Sequence, residues 1–241
     1  ESELKTAIEG LRAMKVRGFN LTMPNKNLMC KLCDRLSPVA QITGAVNTVV
    51  NDNGIFTGYT TDGVGYMQAA REEGCNIIGE KITVLGAGGA AAAIIAQAAF
   101  DGVSEISVFN GKSGSYERME EIISKLRRQT NCRLNLHTYN STEILRREIS
   151  ESTLLVNTTP VGMAPNTDAS IITDPSTFHK DLTVSDIIYS PKETKFLCIA
   201  KEAGCQTFNG LYMLLYQGAE AFRLWTGHEM PVDVIKEKYF K

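Results

Sequence analysis

The sequence predicts an α/β protein with two lobes, an open α/β lobe and a doubly wound lobe built on a parallel sheet. From residue 79 to residue 203, short apolar strands alternate with helical stretches, which is typical of a parallel sheet with helices on both faces. Before residue 75 and after residue 210, the apolar residues mostly follow a helical period instead. We therefore predict a first domain over residues 1–75 and 210–241, and a second domain over residues 76–209.

Composition narrows the classes of protein that the chain can represent. Its 241 residues carry 25 Lys and Arg against 27 Asp and Glu, spread along the chain, so the basic stripe of a nucleic-acid-binding surface is missing. Residues 82–100 are uncharged, but their glycines and alanines favour a strand–turn–helix over a membrane span. The polar first residues do not resemble a signal peptide, and six cysteines without one indicate reduced thiols in a cytoplasmic protein. Cys30 and Cys33 form a C-x-x-C without a second pair, so we predict no metal site.

The first lobe is predicted from helical spacing and turn residues. Its elements are a helix over 2–16, a strand over 18–22, a helix that starts near Pro24 and carries Leu28, Cys33 and Leu36, a hairpin of 46–50 with 55–59, and a helix from Asp62 to about Glu73. Asn53-Gly54 is the strongest hairpin signal in the chain, because both residues accept the positive φ of a tight turn. Gly74 suits the end of the last helix.

The second lobe is predicted from alternation. Its strands are expected at 82–85, 106–109, 134–137, 154–157 and 184–188, and its helices at 90–100, 116–128, 142–149 and 195–203. Helical patterns over 211–225 and 232–239 then return the chain to the first lobe.

A glycine-rich turn follows the first strand of the second lobe. Residues 85–91 read LGAGGAA, a G-x-G-x-x-A turn that opens an alanine-rich helix. Gly86 permits the tight turn, Gly88 lets a pyrophosphate approach the backbone, and Ala91 keeps the helix close to the sheet. This context predicts a Rossmann lobe that binds a dinucleotide.

The residues alone do not decide between NAD and NADP. The second strand of the Rossmann lobe ends without the acidic residue that usually holds the ribose of NAD. Lys112 could meet the 2′-phosphate of NADP, but a single lysine is a poorer clamp than an arginine, and a solvated loop lysine fits equally well.

Lys26 and Asp62 are a candidate proton-transfer pair in the first lobe. Oxidation of an alcohol needs a group that takes the hydroxyl proton while a hydride leaves for the nicotinamide. On composition alone, the simpler reading is a surface lysine and an aspartate that caps a helix.

Several segments in order resemble one family. They are NLTMPNK (20–26), GAVNTVVND (44–52), GYTTDGVG (58–65), LGAGGAA (85–91), NTTPVGM (157–163), SDIIYSPKET (185–194), GCQTFNGLYMLLYQGAEAF (204–222) and LWTGHEMP (224–231). Together they resemble the shikimate dehydrogenases, and within them the quinate/shikimate dehydrogenases. The resemblance runs from about residue 6 to the C-terminus, and it favours the functional reading of Lys26 over the surface lysine.

The resemblance implies a role for each matching residue. It implies catalysis by Lys26 and Asp62, and hydrogen bonds to the substrate's ring hydroxyls from Thr22, Asn47 and Gln217. It implies dinucleotide binding by Gly86, Ala87, Gly88, Gly89, Ala90, Asn110, Lys112, Thr158, Gly162, Met163, Tyr189 and Gly210. A polyhydroxy ring acid needs several fixed donors and acceptors, which agrees with the Thr, Asn and Gln side chains.

The chain also departs from the family pattern. The opening strand of the family and its Ser-x-Ser motif, which binds the substrate carboxylate, are missing, so we expect a chain that starts inside the first lobe and binds the carboxylate more weakly. Thr60 replaces the usual Asn, and Tyr212 replaces a Gly beside the substrate helix. The loop at 110–113 has neither the Arg associated with NADP nor the Asp associated with NAD.

We therefore expect an oxidoreductase that interconverts shikimate, quinate or both with their 3-dehydro forms. Either NAD or NADP would serve, with NAD slightly favoured because the phosphate-clamping Arg is missing. The alternatives are a regulatory relative that binds ligand without turnover and a dehydrogenase of another hydroxy acid. The expected partner is a small molecule, with no nucleic acid and no membrane, in a protein that could form a homodimer.

Overall fold

The computed structural model describes residues 3–240 and contains two separate β-sheets. The helices are α1 (Leu4–Ala13), α2 (Lys26–Leu32), α3 (Pro38–Thr43), α4 (Asp62–Glu72), α5 (Gly89–Asp101), α6 (Gly114–Leu126), α7 (Thr142–Ser150), α8 (Lys195–Glu202), α9 (Leu211–Thr226) and α10 (Val232–Tyr239), with a short 3₁₀ helix at Pro175–Thr177. The strands are β1 (Gly18–Asn20), β2 (Arg35–Leu36), β3 (Thr48–Asp52), β4 (Ile55–Tyr59), β5 (Lys81–Leu85), β6 (Glu105–Phe109), β7 (Arg133–His137), β8 (Leu154–Asn157), β9 (Thr183–Asp186) and β10 (Gln206–Phe208).

The first sheet has four strands in the order β1-β3-β4-β2. Its centre is the predicted hairpin, in which Asp52 of β3 pairs with Ile55 of β4 across a two-residue turn. Asn53 and Gly54 both adopt positive φ in that turn, at 54° and 91°. The hairpin prediction is therefore confirmed, for the conformational reason that motivated it.

The second sheet has six parallel strands in the order β10-β9-β8-β5-β6-β7. The chain starts at β5 in the middle, builds outward to β7, and then returns to β8 on the other side of β5. This reversal places a crevice beyond the carboxyl ends of β5 and β8, which is where open α/β sheets bind ligands. The predicted α/β class with a doubly wound parallel sheet is confirmed.

Helix α4 packs against both α5 and α9. It follows the first sheet directly, and α5 lies on the second sheet, so α4 lies where the two halves meet. Its first residue is Asp62, and Tyr66 one turn later is fully buried. The N-terminal end of α4 therefore places Asp62 in a fixed position relative to both sheets.

Three local predictions were wrong or incomplete. Helix α2 ends at Leu32, so Cys33 is extended and Leu36 belongs to β2. The reason is tertiary, because the Asp34 backbone N–H donates to Phe56 and residues 35–36 add a parallel edge to β4. The short elements α3 and β10 were not predicted, although Ser37, Pro38 and Gly44 carry clear signals for the start and end of α3.

Residues 3–240 contain no candidate for a membrane-spanning helix or for a metal site. No helix there combines the length and the apolar character that a membrane crossing requires. Within the same range, no group of three or more His, Cys, Asp and Glu side chains is arranged to hold a metal ion. All six cysteines are free thiols.

Candidate functional site

A cavity of about 460 Å³ lies between the two sheets. Its lining comes from three places: the ends of the first sheet with the helices that follow it, the loop after β9, and one face of α9. The lining residues are Asn20, Leu21, Thr22, Lys26, Asn47, Asp62, Ile187, Tyr189, Gly210, Met213, Leu214 and Gln217. The structure therefore brings together both predicted catalytic residues, all three predicted substrate-binding residues, and two of the predicted dinucleotide-binding residues.

Lys26 and Asp62 meet at the wall of this cavity. The Lys26 Nζ lies 2.7 Å from Asp62 Oδ2, and the two side chains keep 21% and 16% of their exposed area. Each is the first residue of a helix, Lys26 in α2 and Asp62 in α4. Asp62 suits that position because a carboxylate is stabilised at a helix N-terminus, whereas the Lys26 ammonium is disfavoured there. The ion pair offsets this unfavourable placement of Lys26.

Asn47 holds the Asp62 carboxylate from the other side. Its Nδ2 donates to Asp62 Oδ1 at 2.8 Å and to the Thr61 hydroxyl at 3.0 Å. Its Oδ1 accepts the Thr61 backbone N–H at 2.9 Å and the Thr48 hydroxyl at 3.0 Å. The side-chain amide of Asn47 thus already binds protein groups, and in this arrangement it orients Asp62 while it lines the cavity.

One face of α9 forms the opposite wall. Gly210, at its N-terminus, is followed by Met213, Leu214 and Gln217 at intervals of three and four residues, so their side chains share one face. Only Gly210 and Gln217 were predicted as site residues. Met213 and Leu214 could have been found from the same helical period, which places them beside Gln217.

Tyr212 points away from the cavity. Its ring lies 6.5 Å from the ring of Tyr216, and the Lys236 ammonium of α10 is 4.7 Å from its centroid. A hydrogen bond from Lys236 to Glu72 at 2.8 Å completes this cluster. The replacement of Gly by Tyr at position 212 therefore binds α10 to α9 and leaves the substrate side of α9 open.

The glycine turn at the end of β5 fits a pyrophosphate. Gly86 adopts a φ of 109°, and a Cβ there would lie 2.6 Å from the Thr158 hydroxyl oxygen. At Gly88 and Gly89 a Cβ would meet only open space, and α5 starts there without a side-chain cap. Helix α5 thus begins on glycines with open surroundings, and uncapped N–H groups at a helix N-terminus are suited to bind phosphate groups.

The other predicted dinucleotide-binding residues lie along the same edge of the second sheet. Gly86, Asn110 and Thr158 follow β5, β6 and β8, and parallel strands bring these ends together. Thr158 is buried and donates its hydroxyl to the Leu85 carbonyl at 2.7 Å, so it shapes the glycine turn from behind. Lys112 is exposed on the loop after β6. Asn110 donates to the Ser115 hydroxyl at 3.0 Å and so closes that loop.

Two apolar side chains are exposed near the cleft. Met163 and Tyr189 are about half exposed, and they belong to the loops that follow β8 and β9. Gly162, with a φ of 97°, permits the turn that presents Met163. Of the two, only Tyr189 lines the cavity.

Family models match both ends of the chain. Residues 1–49 match the model described as the shikimate dehydrogenase substrate binding domain. Residues 210–238 match the model described as the shikimate 5'-dehydrogenase C-terminal domain.

Curated and structural relatives cover the whole chain. A shikimate dehydrogenase (NADP(+)) from Listeria innocua is 51% identical over 240 residues, which is 100% of this chain and 82% of that protein. The crystal structure of shikimate 5-dehydrogenase from Listeria monocytogenes, in complex with shikimate and NAD, matches with a TM-score of 0.96 and 51% identity, over 98% of this chain and 82% of that one. Quinate dehydrogenase from Corynebacterium glutamicum, in complex with NAD, matches with a TM-score of 0.86 and 30% identity, over 98% and 82% of the two chains. With this identity over its full length, the chain belongs to the shikimate dehydrogenase family.

Proposed function

We propose that the chain catalyses the reversible oxidation of shikimate to 3-dehydroshikimate with NAD or NADP. The observation that carries this is the Lys26–Asp62 pair in a cavity lined by both halves of the molecule. The 51% identical relatives act on or bind shikimate according to their names, and their dinucleotides are NADP and NAD. The open glycine turn of the second sheet fits either dinucleotide.

In this proposal, Lys26 and Asp62 handle the proton of the hydroxyl that is oxidised. Their heads lie within hydrogen-bond distance at the cavity wall, so one hydroxyl group can contact both. A bound dinucleotide supplies the nicotinamide ring that accepts the hydride. During oxidation the hydroxyl proton passes to the pair, and during reduction the Lys26 ammonium donates a proton to the carbonyl oxygen.

Thr22 and Gln217 are proposed to hold the ring hydroxyls of the substrate. Both line the cavity, from the end of the first sheet and from α9. Gln217 donates to the Leu214 carbonyl at 3.1 Å, which leaves its side-chain oxygen for a substrate hydroxyl. Asn47 is proposed to act through Asp62, whose carboxylate it binds.

Quinate is the second candidate substrate. The observation that favours it is the match to a quinate dehydrogenase over 98% of this chain, at 30% identity compared with 51% for the shikimate enzymes. Steady-state rates with shikimate and quinate, each with NAD and NADP, test both proposals. We expect a higher kcat/KM for shikimate; turnover of neither acid, despite dinucleotide binding, would contradict the proposed function.

We propose that the chain uses both dinucleotides, with a slight preference for NAD. The loop after β6 offers Lys112 as a cation for a 2′-phosphate but no arginine, and Asn110 is engaged with Ser115. A lysine acts as a point charge and lacks the forked geometry of a guanidinium. A thousandfold preference for NADP in kcat/KM, about 4 kcal/mol, would contradict this proposal.

The predicted cytoplasmic location, homodimer and domain boundaries stay predictions. Six free thiols suit a reducing compartment. Light scattering on the purified protein measures its oligomeric state directly.

A further inference from the structure

Asp186 is a buried carboxylate behind the cleft. It is the last residue of β9, is only 1% exposed, and lies just before Ile187 and Tyr189, which line the cavity. Its Oδ1 accepts the Ile188 backbone N–H at 3.0 Å. Its Oδ2 accepts the Asn157 side-chain amide at 3.1 Å and the Thr194 hydroxyl at 2.8 Å.

These three donors come from two separate segments of the chain. Ile188 and Thr194 belong to the segment after β9, residues 187–194. Asn157 ends β8 and organises the segment 157–163: its Oδ1 accepts the Thr159 backbone N–H at 3.0 Å and the Thr159 hydroxyl at 2.7 Å. Asp186 is therefore the group that joins the segment after β8 to the segment after β9.

The donors around Asp186 match the two oxygens of a carboxylate. Three N–H and O–H groups point at two oxygens, and an ionised carboxylate accepts at both of them. An asparagine would offer one oxygen, and its NH₂ group would face at least one of the three donors.

An ionised Asp186 lowers the stability of the folded protein, because its charge is buried. Burial raises the pKa of Asp186, and the hydrogen bonds from Ile188, Asn157 and Thr194 only partly oppose this. Because the pKa is higher in the folded than in the unfolded chain, the folded protein loses stability as the pH rises through the interval between the two pKa values. A buried charge that is retained against stability is typical of a functional site.

We propose that Asp186 is a positioning residue, which holds segments 157–163 and 187–194 in the arrangement that receives the nicotinamide end of the dinucleotide. The inference rests on the proposed function, since these segments flank both the glycine turn and the Lys26–Asp62 cavity. Asp186 itself stays behind the surface and acts through Tyr189, Gly162 and Met163.

The experiment compares Asp186→Asn with wild type and with Asp181→Asn. Asp181 is exposed just before β9 and controls for the loss of one negative charge. Calorimetric titration with NADPH and NADH alone, without substrate, is the main measurement, and thermal unfolding is recorded for each protein. We expect the Kd of Asp186→Asn to rise at least tenfold at a temperature where its unfolding curve shows the folded state, and Asp181→Asn to bind like wild type.

A second pair of variants keeps the proposal open to test if Asp186→Asn does not fold. Thr194→Val removes one donor to Asp186, whereas Thr194→Ser keeps the hydroxyl. We expect weaker dinucleotide binding for Thr194→Val and wild-type binding for Thr194→Ser. Equal binding by wild type, Asp186→Asn and Thr194→Val would overturn the inference, even if the enzyme oxidises shikimate. Weaker binding by these variants supports it even if wild type binds dinucleotide but does not turn over shikimate.

Discussion

At the scale of single residues, the position of Lys26 is informative because it is energetically unfavourable. A lysine in the first turn of a helix opposes the helix dipole, by about 0.3–1 kcal/mol at an exposed position. The salt bridge to Asp62 compensates for this only if Asp62 is held in place, and the Asn47 amide provides that hold. Three side chains from three separate segments thus maintain a charged pair at the surface of a cavity.

Replacement of Lys26 should separate catalysis from binding. We expect Lys26→Ala to lower kcat by about 10²- to 10⁴-fold, because the general acid–base group is lost. The dinucleotide Kd should change less than twofold, since the glycine turn lies on the other sheet. Steady-state kinetics and calorimetry measure the two quantities.

The control for this prediction is Lys31→Ala. Lys31 lies on the same helix α2 and is exposed, so the variant removes an identical charge without touching the cavity. Its kcat should equal that of wild type. If Lys26→Ala is as active as Lys31→Ala, Lys26 has no catalytic role.

The sequence identified Lys26, Asp62, Thr22, Asn47 and Gln217, and the cavity collects all five. Local patterns offered Lys26 and Asp62 only as a candidate pair, and the roles of all five residues were predicted from the family resemblance. The sequence could not show that the Asn47 amide hydrogen-bonds Thr61 and Asp62, because those contacts depend on the distance between segments that are separate in the chain. The direction of the Tyr212 side chain could not be predicted either, since its ring packs against Lys236 on α10.

At the scale of elements, α4 explains why glycines occur inside a helix. A Cβ on Gly65 would lie 2.5 Å from the Gln217 backbone N and 2.7 Å from the Met213 carbonyl oxygen of α9. Glycine normally destabilises a helix interior by about 0.8–1 kcal/mol relative to alanine. Here it permits α4 and α9 to approach closely, which sets the width of the cavity between Asp62 and Gln217.

Gly65→Ala should therefore destabilise the protein, although alanine has a higher helix propensity than glycine. The added methyl would push α9 away from α4, and we expect a loss of about 1–3 kcal/mol from overpacking. Because Gln217 lies on the displaced helix, the KM for shikimate should rise more than the KM for the dinucleotide. Thermal unfolding and steady-state kinetics measure both effects.

Gly10→Ala is the matched control on α1. A Cβ there meets nothing within 4 Å, so alanine should stabilise the protein by about 0.4–1 kcal/mol. The two substitutions should change the free energy of unfolding in opposite directions. Helix propensity alone would predict stabilisation by both, so the difference measures the cost of overpacking between α4 and α9. Equal stabilisation by both would show that α4 and α9 can separate without cost.

The elements that sequence predicted well are those with a strong local pattern. The five strands β5 to β9 are short apolar runs separated by helices, and the hairpin has Asn53 and Gly54. The end of α2 was predicted too late because Cys33 and Leu36 continue a helical period. In the structure, residues 35–36 instead pair with β4 as an edge strand. Strand pairing between distant segments outweighed local periodicity there.

At the scale of the whole molecule, we expect activity to depend on how the two sheets are held relative to each other. Tyr66 on α4 and Ser185 on β9 form a hydrogen bond of 2.7 Å, and both side chains are buried. Tyr66 follows Asp62 by one helical turn, and Ser185 precedes Asp186. This bond therefore connects the helix that carries Asp62 to the strand that leads into segment 187–194, a connection that no local sequence pattern could predict.

A double-mutant cycle tests whether this bond positions the two halves. Tyr66→Phe and Ser185→Ala each leave one buried hydroxyl without its partner, which should cost about 1–3 kcal/mol. The double variant leaves neither unpaired, so its free energy of unfolding should be close to that of a single variant. We expect kcat/KM for shikimate to fall about tenfold in all three, because the fixed placement of Asp62 relative to the second sheet is lost in each.

Thr83→Val supplies the control that separates stability from positioning. Thr83 and Ser152 form a buried hydroxyl pair at 2.9 Å, with Thr83 on β5 and Ser152 in the segment that leads into β8 of the same sheet. The variant should lower the free energy of unfolding by a similar amount and leave kcat/KM unchanged, since it alters nothing between the two sheets. If Tyr66→Phe keeps full kcat/KM while it loses stability, the Tyr66–Ser185 bond stabilises the fold without positioning Asp62, and the placement of the catalytic helix then rests on the close packing of α4 against α9.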